Sequence, residues 1–223
     1  MRYSTASAWG SRRCYMAETL SFHIVSDNLA DFEKILALVK NYNPDVDLSA
    51  VSSMDNWMWE NRQYLNIDGI EEKLLQEKIV FIDLKSPAVN DIGIYAEYIN
   101  NKYVYDLWIN SDEFNDTDTR IEHINKYIKI FNHVLKKTVN RFTFDLIAVG
   151  FETVFNYQKN IIDTIKRSDN IFLWAINERM PETGFTDKYK IYKSSNNVYK
   201  FLLNGESDFE MSVLRLFKET LNK

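Results

Sequence analysis

From Thr19 to Val25 the chain alternates, with Leu20, Phe22 and Ile24 set against Ser21 and His23, the period of two expected of a strand with one buried face. Ser26 and Asp27 then offer helix-capping side chains. Leu29, Phe32, Ile35, Leu36 and Val39 recur at helical spacing, and the predicted helix stops near Tyr42 because Asn43 precedes Pro44. The pattern breaks over 44–68, a polar stretch around Met54 to Glu60 with a weak helical period from Asn56 to Leu65. A short helix from Gly69 to Glu77, capped by Asp68, and a buried strand from Ile79 to Leu84 follow. Residues 44–77 therefore read as a helical insertion.

The clearest local signal is a hairpin between Asp91 and Asn110. Asn100-Asn101 tolerates positive φ at both central positions of a two-residue turn, which sets Ile99 opposite Lys102, Tyr98 opposite Tyr103 and Ile94 opposite Leu107. One face then carries Ile92, Ile94, Ala96, Tyr105 and Leu107 as core. The other carries Tyr95, Glu97, Val104, Asp106 and Trp108, a mixed aromatic and acidic face expected to point outward. A capped helix is predicted after Thr117-Asp118, with Ile121, Ile124, Ile128, Phe131 and Val134 on one stripe.

The same order returns with shorter joints: strand Phe142–Val149, helix Thr153–Lys166, strand Ile171–Asn177, strands near Tyr189–Lys193 and Val198–Leu203, and a helix from Ser207 to Leu221. The segment from Asn100 to Phe114 also reads against that from Asn196 to Phe209, each an Asn-Asn turn, an aromatic strand and an acidic loop. The expected fold is α+β: two tandem β-α-β-β-β-α modules, 17–139 and 140–223, with mainly antiparallel sheet and helices packed on it. Residues 1–16 have no periodicity and read as a disordered lead-in.

Composition narrows the class. Six Gly and three Pro in 223 residues leave few phosphate-cradling loops, while fourteen Phe, thirteen Tyr and five Trp are many. Charge is acidic, 27 Lys+Arg against 32 Asp+Glu, a field that repels nucleic acid and favours a basic partner. A single cysteine, Cys14, suits a reducing cytoplasm. No apolar run approaches the ~20 residues that span a bilayer.

No catalytic or cofactor motif stands out. His123 and His133 lie ten residues apart on one predicted helix, roughly 15 Å along its axis, too far to share a metal. His23 is expected on the outer face of its strand. Glu97 and Asp106 are diagonal neighbours on the hairpin, which permits acid/base work on a glycoside, although an exposed face lacks the shielding a catalytic acid needs. Trp57, Met58 and Trp59, flanked by Asp55 and Glu60, have the anchor-and-rim composition of protein interfaces, or else fill the seam between halves. Asp112 and Glu113 lie in an acidic run before a helix and exceed what capping requires.

The segment Tyr95–Asn110 with its acidic loop, set in an acidic, aromatic-rich chain without a catalytic signature, resembles the immunity proteins of bacterial polymorphic-toxin and contact-dependent inhibition systems. That resemblance implies a non-enzymatic cytoplasmic antidote, without cofactor or metal, that binds a cognate toxin domain, often a nuclease. Its expected surface is drawn from Asp55, Trp57, Trp59, Glu60, Tyr95, Glu97, Asp106, Trp108, Asp112 and Glu113. The alternatives are a small-molecule sensor with a cleft between the halves and a carboxylate-dependent hydrolase. A large, dry pocket between the halves favours the sensor, and an exposed acidic-aromatic ridge without a pocket favours the antidote.

Overall fold

The computed structural model describes residues 19–29, 31–42, 45–86, 89–110, 144–176, 189–193 and 199–203. In chain order these form β1 (Thr19–Ser26), α1 (Asp31–Tyr42), β2 (Asp47–Met54), β3 (Gln63–Tyr64), a 3-10 turn (Ile67–Gly69), α2 (Ile70–Leu75), β4 (Ile79–Ser86), β5 (Val89–Ile99) and β6 (Lys102–Asn110). Beyond residue 143 they form β7 (Phe144–Val154), α3 (Ile161–Arg167), β8 (Asp169–Ile176), β9 (Tyr189–Lys193) and β10 (Tyr199–Leu203). All ten strands join one antiparallel sheet in the order β3-β2-β4-β5-β6-β1-β7-β8-β10-β9. The described residues are thus mostly antiparallel sheet with a few short helices, an α+β arrangement.

The hairpin has the register its turn dictates. Asn100 and Asn101 take φ of 53° and 65°, and Ile94 pairs with Leu107, Tyr98 with Tyr103 and Ile99 with Lys102. Its apolar face enters the main core. There Phe22, Ile24, Ile94 and Leu107 pack with Ile35 and Val39 of α1 and with Ile70 and Leu74 of α2.

The opposite face is not outward, which corrects the expectation for the hairpin and for β1. Val25, Val104, Leu146 and Trp174 are buried there with Ile165 of α3 and Tyr157, and a second cluster gathers Met54, Ile79 and Phe81 with Trp57, Trp59, Tyr95 and Trp108. Ser21 and His23, the polar positions of β1, are therefore buried too, at 2% and 4% exposure. A strand flanked by β6 and β7 and covered on both faces cannot show a solvated side, whatever its alternation.

Residues 44–77 are also not a helical insertion. β2 and β3 extend the sheet beyond β4, the Asn56–Leu65 helix is replaced by a loop and the two-residue β3, and only Ile70–Leu75 is α-helical, with Gly69 at its N-cap in place of Asp68. The sequence of β2, Leu48-Ser49-Ala50-Val51-Ser52-Ser53, is small and polar, and cross-strand pairing with β4 decides its conformation.

The helix read from Thr153 starts later. Residues up to Val154 continue β7, and Asn160 caps α3 by accepting a hydrogen bond from the Ile162 backbone N–H at 2.8 Å. Strand order differs between the halves. In the first, β6 folds back beside β1; in the second, the strand after α3 returns directly beside β7. The two do not share one sheet order, and β1 against β7 is the join. The predicted helices after Asp118 and Ser207, the second Asn-Asn turn, the boundary at 139/140 and residues 1–16 lie outside the described residues.

Candidate functional site

On the second face a polar row crosses four neighbouring strands: Glu97 on β5, Asp106 on β6, His23 on β1 and Thr153 on β7. Pairing fixes most of it. His23 lies opposite Asp106, and Glu97, opposite Val104, is diagonal to Asp106. Thr153 arrives by a bulge, because between Gly150 and Val154 the register of β7 slips against β8. Gly150 permits it: a Cβ there would meet the Asn170 carbonyl oxygen at 1.9 Å.

The contacts along the row are specific. His23 Nε2 lies 2.7 Å from Thr153 Oγ1, and His23 Nδ1 lies 3.5 Å from Asp106 Oδ1. Phe155 stacks on the imidazole at 4.4 Å between ring centroids, with 7° between planes. Burial pushes His23 down to about 3, so the ring is neutral. Burial pushes Asp106 up to about 7, against hydrogen bonds from Ser21 and the Phe22 backbone that pull it down. Burial also pushes Glu97 up to about 7, with the neighbouring Asp106 charge adding to it and a hydrogen bond from the Trp57 indole opposing it.

The row lies in a cleft of about 960 Å³ whose walls come from both halves, Trp57, Tyr95 and Ile99 on one side and Phe155, Asn156 and Gln158 on the other. Aromatic rings continue away from it. Trp57 meets Tyr95 edge-on at 4.9 Å, Tyr95 stacks on Trp108 at 5.9 Å, and Trp59 meets Phe81 at 5.4 Å. Gly93 makes the room for this, since a Cβ there would stand 2.9 Å from both Phe81 Cε2 and Trp108 Cζ2.

Beside the cleft, the 55–62 loop is braced by its own bonds. Asp55 N–H donates to the Glu60 carbonyl, Asn56 Nδ2 to the Glu60 carboxylate, Met58 N–H to Asn56 Oδ1 and Asn61 Nδ2 to Asp55. Lys78 Nζ pairs with Asp55 at 2.6 Å, and the hydrogen bond from Asn61, followed by that from Lys78, holds the Asp55 carboxyl below the usual range. Arg62 lies 4.8 Å over the Trp59 ring.

Of the residues singled out from sequence, Trp57, Tyr95, Glu97 and Asp106 are brought together at the cleft, half-buried. Trp59 and Trp108 belong to the aromatic cluster behind it, and Asp55 and Glu60 are exposed in the loop. Asp112 and Glu113 lie outside the described residues. His23, Thr153 and Phe155 were missed as site residues. The signal available was a histidine within a strand; the bulge that delivers Thr153 leaves no local mark beyond Gly150.

A hydroxyl, an imidazole and a carboxylate in line have the order of a nucleophile, its base and an orienting group. Here His23 is too weakly basic to take a proton at neutral pH, and Thr153 is itself buried at 4% exposure. Among the described residues no group of three His, Cys, Asp or Glu side chains is placed to hold a metal, and no helix is long and apolar enough to cross a membrane.

No family model matches the sequence, and no curated protein matches it. Among solved structures, a chain of the toxic C-terminal tip of CdiA from Pseudomonas aeruginosa in complex with immune protein aligns over 61% of this chain and 88% of its own, at 11% identity and a TM-score of 0.39. That is a partial likeness of arrangement, below the level at which two chains share a fold.

Proposed function

We propose that this chain is a non-enzymatic immunity protein that binds and neutralises a basic bacterial toxin domain in the cytoplasm. The observation that carries the reading is the shape of the 55–62 loop. Trp59 and Asn61 stand at φ of 64° and 51°, and Met58 is left 57% exposed next to the exposed Glu60. A bulky residue in the left-handed region costs about 1–3 kcal/mol, a strain that persists where surrounding structure fixes a loop for a task. Here the task is presentation: a methionine anchor with a carboxylate at its rim, beside a cleft, on a chain with a net charge of −5. An acidic surface of this kind suits a nuclease, which must present Lys and Arg to phosphate. The weak basicity of His23 supports the non-enzymatic part.

The test is to purify the toxin domain encoded beside this gene and to measure its binding and the survival of cells that express it. Tight binding that weakens with salt, together with protection, is the expected result. A basic toxin that neither binds nor is neutralised refutes the proposal.

The cleft favours a second reading, a small-molecule sensor, because its walls come from both halves and mix aromatic with convergent polar groups. Thermal stabilisation by a metabolite, with no toxin binding, would select it.

A further inference from the structure

The least comfortable groups in the molecule are Glu97 and Asp106. Two like-charged side chains sit side by side on the buried face of a sheet, and folding alone gains nothing from that choice. Two nearby lysines are already committed. Lys78 pairs with Asp55, and Lys102 bridges Asp27 and Asp145 at 2.5 Å each. Lys159 and Arg167, which also line the cleft, make no ion pair with either carboxyl. The only titratable neighbour facing Asp106 from β1 is the neutral His23, and Asp106 Oδ1 is shut from solvent with no hydrogen-bond partner among the described residues. The Asp106 side chain as a whole still has 15% of its surface open.

From this placement we infer that the cleft is a socket for one basic side chain of the protein partner, a guanidinium or ammonium that enters past Trp57 and Tyr95 and lies between Glu97 and Asp106. Three features fit a guanidinium. Two carboxyls on adjacent strands can divide its donors, which a point acceptor cannot do. Trp57, Tyr95 and Phe155 line the cleft, an aromatic surround that suits a desolvated cation. A cleft of about 960 Å³ far exceeds one side chain, so a partner's loop can follow its arginine inward. The cation would also take over the role of the proton, so that binding expels it from carboxyls held near 7. The inference rests on the toxin-binding reading for the source of the side chain, and the probe below is a small molecule so that the two can fail separately.

Arginine amide and its uncharged isostere citrulline amide, both Nα-acetylated so that no α-amino group titrates between pH 6 and pH 8, are titrated calorimetrically into the intact chain at those two pH values, in two buffers of different ionisation enthalpy. Arginine amide should bind at least tenfold more tightly than citrulline amide, more tightly at pH 8 than at pH 6, and with proton release. The Glu97→Gln/Asp106→Asn double variant should lose at least tenfold of that affinity while its thermal midpoint at pH 8 matches or exceeds the parent's, which separates lost binding from lost folding. Equal affinity for the two amides, or unchanged arginine binding in the folded double variant, overturns the socket. Either result leaves the toxin assay to be decided on its own. A toxin that binds the parent and the double variant equally also removes the socket while keeping the antidote.

Discussion

His23 and Thr153, 130 residues apart, are joined by a 2.7 Å hydrogen bond inside the sheet. The bond closes the polar row at its β7 end and ties the first half of the chain to the second on the cleft side, while Lys102, bridging Asp27 and Asp145, ties them near the hairpin turn.

Replacing Thr153 with Val keeps the shape and removes the partner of a fully buried imidazole nitrogen. An unsatisfied buried polar group costs about 1–3 kcal/mol, so Thr153→Val should destabilise by that order, and Thr153→Ser by clearly less. Urea unfolding of the three proteins measures it. Equal stability of Val and Thr at this position would show that the hydrogen bond contributes nothing.

Stability should fall as pH rises above neutrality. The folded values of Glu97 and Asp106, about 7, exceed their ordinary 4.5 and 3.8, so their contribution is complete below the ordinary values and is lost as pH climbs through about 7. His23 works in the opposite sense. Lowered from 6.5 to about 3, it contributes fully above 6.5 and loses that as pH falls toward 3. The two trends oppose each other between about 4 and 6.5, and above that range only the carboxyl loss remains. Urea midpoints should therefore decline from pH 6.5 to pH 8.5, and Glu97→Gln should flatten the decline and stabilise at pH 8 by on the order of 1 kcal/mol or more. A flat profile for the parent in this window would contradict the assignment.

The two tight glycines should differ in cost. Gly93→Ala presses on the ring edges of Phe81 and Trp108, which can shift, for a loss of about 1–3 kcal/mol. At Gly150 the obstacle is the Asn170 backbone, so Gly150→Ala should cost more and should also disturb the His23–Thr153 contact. Comparing thermal midpoints checks the ranking, and a milder effect at Gly150 would mean that the bulge yields easily.

At the loop, Glu60→Lys should slow association with a basic toxin several-fold at low salt and little at high salt, whereas Met58→Ala should mainly speed dissociation. Rapid-mixing kinetics at two ionic strengths separate the two effects. Unchanged rates for both variants would place the interface elsewhere.

What the sequence revealed follows from the range of the interactions involved. The hairpin register was legible because Asn100-Asn101 determines it locally, and β1 was legible as a strand from its alternation. The burial of Ser21, His23, Glu97 and Asp106 was not, because it depends on α3, Tyr157 and Phe155, which arrive from more than forty residues away and carry no complementary pattern. β2 was hidden for a related reason: its residues are small and polar, and pairing with β4 overrides their preference. Glu97 and Asp106 were correctly seen as neighbours and wrongly placed in water. Periodicity reports where one face differs from the other, and here both faces are covered.

The position of β1 has a consequence for how the chain is made. It is the first strand among the described residues, yet it lies inside the sheet with β6 and β7 as its neighbours, so its second partner begins only at Phe144. During synthesis Phe22, Ile24 and Val25 must wait, unpaired on at least one side, until more than a hundred further residues have been added. Long-range pairing of this kind slows folding and leaves an apolar strand open to wrong partners meanwhile. An N-terminal fragment ending after β6 should therefore aggregate, and the rate at which the ribosome delivers β7 becomes part of what determines the yield of folded protein.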